Sequence, residues 1–170
     1  LPDEAIDREI NTILEVSQGT DPRPRIDLRL GERVVDPVSL RGDFDAVLVT
    51  VGTHQGIVLP MKGHGLKNVY VNTAFLKAAR EGKPLPVEEG RVVVLGGGNV
   101  AYDCARTAVR LGAKSVDVAC LEAEDRMTST PEERKEAAEE GIVLHDAHAF
   151  NSIDESPEKP GFVGGMTIQK

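Results

Sequence analysis

Residues 91–101 read Arg-Val-Val-Val-Leu-Gly-Gly-Gly-Asn-Val-Ala, a β-branched run that enters a triple-glycine turn. Gly96, Gly98 and Ala101 fit the pattern G-x-G-x-x-A, and each position has a physical task. Gly96 allows a tight strand-to-helix turn. Gly98 lacks the Cβ that would hold a pyrophosphate off the main chain, and Ala101 is small enough for the helix to pack close to the strand. The amides of Gly97, Gly98, Asn99, Val100 and Ala101 then face phosphate oxygens from the positive end of the helix. Such a site needs a group at the end of the next strand to read the adenosine ribose, usually about 20 residues beyond the glycines. Glu122 stands there. It can accept both ribose hydroxyls of NAD and would repel a 2′-phosphate; the alternative reading is a solvated loop carboxylate beside Glu124 and Asp125.

The elements that must position these residues are legible around them. A strand over 91–95, a helix over 99–111 stopped by Gly112, and a strand over 115–120 form one β-α-β unit. Thr130-Pro131-Glu132-Glu133 opens a second helix: Thr130 caps it, Pro131 takes its first position and Glu133 completes a capping box. Gly141 ends that helix and a strand over 142–146 follows. This order predicts an α/β, Rossmann-like parallel sheet with right-handed crossovers and helices on both faces. Weaker strand candidates, 148–153 and 162–168, flank a proline-containing turn at 157–160.

Upstream the signals are sparser. Ile6, Ile10, Ile13 and Leu14 form one stripe of an amphipathic helix over 3–16, and residues 19–24 break it. Alternation predicts a strand over 26–30, a polar loop over 31–43, and a strand buried on both faces over 45–51. Residues 53–68 read as a connector. Asn72 or Thr73 caps a short helix that ends before Gly82, and a linker covers 83–90.

The 170 residues carry 20 Lys+Arg against 28 Asp+Glu, a net charge of −8, with 40% hydrophobic and 28% charged residues. That describes one globular domain, or one and a part. The acidic balance argues against nucleic-acid partners or an anionic membrane surface, and the longest apolar runs are strand-sized. Cys104 and Cys120 form no CxxC pair and no metal ladder, so a reduced, cytoplasmic setting is expected, with both as small buried side chains. The first residue is Leu and no leader pattern follows, which suggests a trimmed chain.

Residues 94–113, Val-Leu-Gly-Gly-Gly-Asn-Val-Ala-Tyr-Asp-Cys-Ala-Arg-Thr-Ala-Val-Arg-Leu-Gly-Ala, resemble the pyridine-nucleotide-binding signature of the glutamate synthase small-subunit group. That group includes the related domain of dihydropyrimidine dehydrogenase and other flavoproteins that feed iron–sulfur partners. Residues 45–56 are similar to the segment where such proteins leave their FAD domain, and the resemblance covers most of 1–146. It implies an NAD(P)H domain inserted between two halves of an FAD domain, with hydride passing from nicotinamide to flavin and onward as electrons. On this resemblance, 1–57 is a partial FAD-domain segment, 58–90 a connector with a short helix, and 91–170 an NAD(P)-binding Rossmann domain truncated at its end. The implied partners are the remainder of the FAD domain and an iron–sulfur domain or subunit.

Three departures qualify that picture. No second glycine fingerprint precedes residue 90, so the family's FAD pyrophosphate motif is expected before Leu1. Cys120-Leu121-Glu122 replaces the family's common Tyr-Arg-Arg, which removes a bidentate phosphate clamp and favours NAD(H) over NADP(H). Thr50-Val51-Gly52 replaces Ala-Thr-Gly.

Other residues carry less. His145 and His148, on a strand, would point to opposite faces and chelate poorly, so no metal is expected. His54 and His64 read as solvent-facing. Asp103 and Arg106 belong to the family signature, with Asp103 a weak candidate for supporting the loop, and Met127-Thr128 has no assigned role. No catalytic side chain is expected, since hydride transfer between cofactors needs placement and exclusion of water. The expected function is the NAD(P)H-binding part of an FAD-dependent oxidoreductase. The alternatives are a non-catalytic module sensing NAD(H) or another adenine nucleotide, and more remotely a methyltransferase-like domain.

Overall fold

A computed structural model describes residues 3–17 and 26–170. The chain divides into two units, 1–51 and 52–170.

In the first unit, α1 (Asp3–Ser17) forms where the isoleucine spacing places it, with Asp3 and Glu4 in the first turn. Ile10 and Ile13 of its stripe remain exposed. The expected break at 19–24 lies outside the described residues. Neither expected strand forms: 26–30 and 45–51 are irregular, with Leu30 80% and Leu48 87% exposed. A strand is stable only when a neighbour takes its backbone groups, and no ladder partner stands beside them among the described residues. The expected loop contains a 3-10 turn, Pro37–Gly42, capped by Asp36, whose Oδ1 accepts from the Val38 amide at 2.9 Å. Asp-Pro was the signal for it.

The second unit holds β1 (Arg91–Leu95), α3 (Asn99–Arg110), β2 (Ser115–Ala119), α4 (Pro131–Glu139) and β3 (Val143–His145), preceded by α2 (Asn72–Arg80). β1 pairs in parallel with β2, and β2 with β3, in the order β1-β2-β3. Successive right-handed crossovers that advance in one direction place their helices on the same side of the sheet. Accordingly α3 packs on β1 and β2, and α4 packs on α3. The expectation of helices on both faces is therefore corrected: among the described residues the opposite face is bare of helix, with Val93 46% and Val143 52% exposed. Covering it would need the strand order to reverse, and from β1 to β3 it does not.

The core lies under α3, where Tyr102, Ala105, Ala108, Val116, Val118, Ala137 and Ile142 are buried. Alanines on the inner face of α3 bring it close to the sheet, which a larger residue at Ala105 or Ala108 would prevent. α2 packs on α3. Its cap is not Asn72 or Thr73: the capping position is Val71, and Asn72 is already helical, its Oδ1 accepting from the Thr73 amide at 2.8 Å. The late strand candidates form a separate antiparallel pair, β4 (Ala149–Glu155) and β5 (Val163–Gln169). The connector runs beside this pair, bridging at Lys62 to Ser152 and at Lys67 to Phe162. Gly63, at φ +85°, allows that approach, because a Cβ there would stand 2.1 Å from the Ile153 carbonyl oxygen.

Both cysteines are buried and free. Burial first, and then the Asp103 carboxylate, push the Cys104 thiol up to about 11. An unfolded cysteine ionises near 9.0, so the stability carried by the protonated thiol is complete below that pH and is lost as pH rises toward 11. Iodoacetamide at pH 8 is expected to leave Cys104 and Cys120 unlabelled in the folded protein and to label both in urea. Mass spectrometry reads the result, and native labelling at either site would refute their burial.

Candidate functional site

The glycine turn is assembled from the strand outward. Gly96, at φ +123°, donates its amide to the Ala119 carbonyl at 2.8 Å, tying the turn to the end of β2. A side chain at that φ would be strained, so glycine is required for the turn itself. Gly97 is hemmed in: a Cβ there would stand 3.0 Å from Met127 Cε and 3.2 Å from Cys120 Cβ. Gly98 is the N-cap of α3 in extended backbone and contributes no capping side chain. The Ala101 amide donates to the Gly98 carbonyl at 2.9 Å. The amides of Gly97, Gly98, Asn99 and Val100 have no partner among the described residues. Four free donors thus gather at the positive end of a twelve-residue helix.

A second segment is stapled over this turn. The Ser129 amide donates to the Gly97 carbonyl at 3.1 Å, and the Thr130 amide donates to Asn99 Oδ1 at 2.9 Å. The expected capping box is only half made. Thr130 Oγ1 accepts from the Glu133 amide at 3.3 Å, but the Glu133 carboxylate turns instead to Arg106, 3.2 Å away. Asn99 supplies the acceptor that Glu133 would have offered. The Asn99 side chain therefore holds the start of α4 against the start of α3, while its amide remains free. Met127 and Thr128, without a role in the sequence reading, form the wall behind the glycines.

Glu122 is exposed just past β2, where the ribose-reading group was expected. Its main chain is fixed by a cross-link between two loops. The Ala147 amide donates to the Glu122 carbonyl at 2.9 Å, the His148 amide donates to the Cys120 carbonyl at 2.8 Å, and the Glu124 amide donates to Asp146 Oδ2 at 3.1 Å. Ala147 sits at φ 54°, which ends the strand alternation. That corrects the placement of the two histidines. His145 and His148 do not point apart; their rings meet edge-on at 5.9 Å, and His145 Nε2 donates to Asp117 Oδ1 at 2.7 Å. Among the described residues no group of three or more His, Cys, Asp and Glu is arranged to hold a metal. His64 is exposed, its Nδ1 donating to the Met61 carbonyl at 2.9 Å, and His54 is exposed as expected. Asp103 is exposed and makes no hydrogen bond to the loop among the described residues.

Sequence reasoning missed Tyr102, Ser129 and Arg134. Tyr102 is 2% exposed, and its hydroxyl is buried beside the Ser129 side chain. Burial pushes that hydroxyl's pKa up. Ser129 is buried, and both its carbonyl and its Oγ accept from Arg134 Nη1. A buried tyrosine is indistinguishable in sequence from an exposed one when both lie on the same amphipathic helix; only the packing of α4 decides it.

A half-buried strand, a glycine turn with free amides, and a helix start within a parallel sheet define an α/β fold of the Rossmann type. The chain belongs to the pyridine nucleotide-disulphide oxidoreductase family, whose profile matches residues 9–160. It is 39% identical over 113 residues to the glutamate synthase [NADPH] small chain of Escherichia coli, a match covering 61% of this chain and 24% of that protein. It is 31% identical over 150 residues to the NADP(+)-dependent formate dehydrogenase subunit beta of Moorella thermoacetica, covering 85% of this chain and 20% of that one. The chain thus spans about a quarter or less of these relatives. Among solved structures, Mycobacterium tuberculosis FprA in complex with NADPH superposes with a TM-score of 0.67 at 17% identity, over 97% of this chain and 54% of that one. No helix among the described residues is long and apolar enough to cross a membrane.

Proposed function

We propose that this chain is the pyridine-nucleotide-binding portion of an FAD-dependent oxidoreductase, and that the dinucleotide docks its pyrophosphate on the amides of Gly97, Gly98, Asn99 and Val100. The observation that carries the reading is those four donors, unpartnered among the described residues, at the start of α3, reached directly from strand β1. The bound nicotinamide and flavin supply the redox chemistry between them. The protein's part is to bind and orient: Asn99 keeps the α4 start over the turn, and the loop cross-link at residues 120–124 presents Glu122. Residues 1–57 are assigned to the FAD domain, 58–90 to the connector and 91–170 to the nucleotide domain. The rest of the FAD domain and an iron–sulfur domain or subunit are the proposed partners. Calorimetric titration of the chain with NADH and NADPH tests the reading. One-to-one binding competed by ADP-ribose is expected, and the absence of binding to either nucleotide would overturn it.

The choice between the two nucleotides turns on Glu122. A carboxylate there accepts ribose hydroxyls and repels a 2′-phosphate, so NADH is the proposed ligand. A second reading rests on Arg126, exposed and with no side-chain partner among the described residues, which could meet a 2′-phosphate. The NADPH and NADP(+) in the names of the two relatives favour it. Glu122→Arg is expected to move the NADH-to-NADPH affinity ratio toward NADPH by about tenfold, close to 1.4 kcal/mol. A wild-type preference for NADPH that Arg126→Ala removes would establish the second reading instead.

A further inference from the structure

β2 carries one charged residue, Asp117, set between Val116 and Val118, which are both buried in the core. Alternation turns Asp117 to the other face of the sheet, and a carboxylate in mid-strand is unfavourable unless something pairs with it. His145, the last residue of β3, does so. Its Nε2 donates to Asp117 Oδ1 at 2.7 Å, across the diagonal of a ladder in which Asp117 faces Val143 and Ala119 faces His145.

The loop that leaves His145 is the one that fixes Glu122. The His145 carbonyl accepts from the Cys120 amide at 3.1 Å, and the Ala147 amide donates to the Glu122 carbonyl at 2.9 Å. Ala147 makes that bond from φ 54°, a left-handed conformation that alanine disfavours and that persists only where its surroundings impose it. Histidines flank it on both sides. The His145 and His148 rings meet edge-on at 5.9 Å, His145 being anchored on Asp117, while His148 Nδ1 donates to the Asp146 carbonyl. Asp117, His145 and His148 thus brace the strained residue whose amide holds the Glu122 main chain.

We propose that His145, anchored on Asp117, is a positioning residue for nucleotide choice. It holds the left-handed turn at Ala147 and, through the Ala147 amide, sets where the Glu122 carboxylate meets the ribose. This rests on the dinucleotide reading above and on the part Glu122 plays in it. A recognition group works when held to within about 0.5 Å of its productive place, and a carboxylate on a loosened loop is not so held. None of the brace's hydrogen bonds involves the free amides of Gly97, Gly98, Asn99 and Val100, so pyrophosphate docking survives its loss. Discrimination between the ribose hydroxyl and the 2′-phosphate does not.

NADH and NADPH are titrated by calorimetry into wild type and variants, with thermal unfolding to follow stability. Wild type is expected to prefer NADH. His145→Phe keeps a ring against His148 but gives Asp117 no donor, and is expected to cut the NADH-to-NADPH affinity ratio about fivefold. Asp117→Ala removes the anchor and leaves both rings, and is expected to do the same. His145→Gln keeps a donor near the place of Nε2 and should hold the ratio within about twofold of wild type. Adding Ala147→Gly to His145→Phe frees the left-handed turn of strain and should restore most of the lost ratio. A purely structural role would lower the unfolding temperature and leave the ratio unchanged. That result, or a ratio in His145→Gln no better than in His145→Phe, would overturn the positioning role and leave the Glu122 reading intact. A wild-type preference for NADPH would overturn the Glu122 reading and this one with it, and failure to bind either nucleotide would overturn the parent reading as well.

Discussion

Gly98→Val is expected to reduce NADH and NADPH affinity by about 100-fold or more, near 2.7 kcal/mol, with the fold retained. The separation of the two effects follows from local geometry. Gly98 has φ −90° and ψ 168°, an extended conformation that valine adopts readily. The nearest atom to an added Cβ is Thr128 Oγ1 at 3.3 Å, a side-chain hydroxyl that can rotate away. Nothing in folding therefore requires glycine there. The requirement comes from the ligand, because the branched side chain fills the space above the Gly97, Gly98 and Asn99 amides. Gly96→Val is the contrasting variant. At φ +123° it is strained in the apoprotein, and about 1–3 kcal/mol of stability should be lost. Calorimetry beside urea unfolding distinguishes the pair, and wild-type affinity in Gly98→Val would remove the basis of the proposed site.

The second large effect concerns how α4 is held. This helix, Pro-Glu-Glu-Arg-Lys-Glu-Ala-Ala-Glu, buries only Ala137, so apolar contact alone attaches it weakly. Arg106, on α3 and 19% exposed, reaches Glu133 at 3.2 Å, Glu136 at 2.8 Å and Glu140 at 2.7 Å. One guanidinium with five donors can serve three carboxylates; an ammonium cannot match that fork. Removing it leaves Glu133 and Glu136 facing α3 without that cation, while Arg110 still holds Glu140 at 3.1 Å. Arg106→Ala is expected to destabilise the protein by about 2–3 kcal/mol, toward the lower end of what a sheltered ion cluster gives because Glu136 is largely solvated and screened. Arg106→Lys should recover less than half of that. Urea unfolding in low salt measures it; a loss below about 0.5 kcal/mol would mean that α4 is docked by packing alone. Since α4 begins at the staple over the glycine turn, the same variant should also weaken dinucleotide binding.

What could be read along the chain was whatever is local. The glycine turn, the β-α-β order, the Thr130 cap and the position of Glu122 depend on residues within a few places of one another, and backbone sterics, helix dipoles and caps act over that range. The stripe on α1 is local too, and the helix forms. The strands expected at 26–30 and 45–51 failed because a strand's hydrogen bonds are not its own: alternation states which face would be buried and says nothing about whether a partner is present. The one-sided helix cover follows from the direction in which successive crossovers advance, a property of the strand order and not of any segment. Distant residues made the remaining decisions. Arg106 drew Glu133 out of its capping box, Asn99 took the vacated role across 31 positions, and Ala147 turned His148 back against His145. Buried Tyr102 belongs to the same class. Its type and its place on the helix were plain from the start, but burial is decided by the side chains that arrive from elsewhere, and these came from α4 and β3.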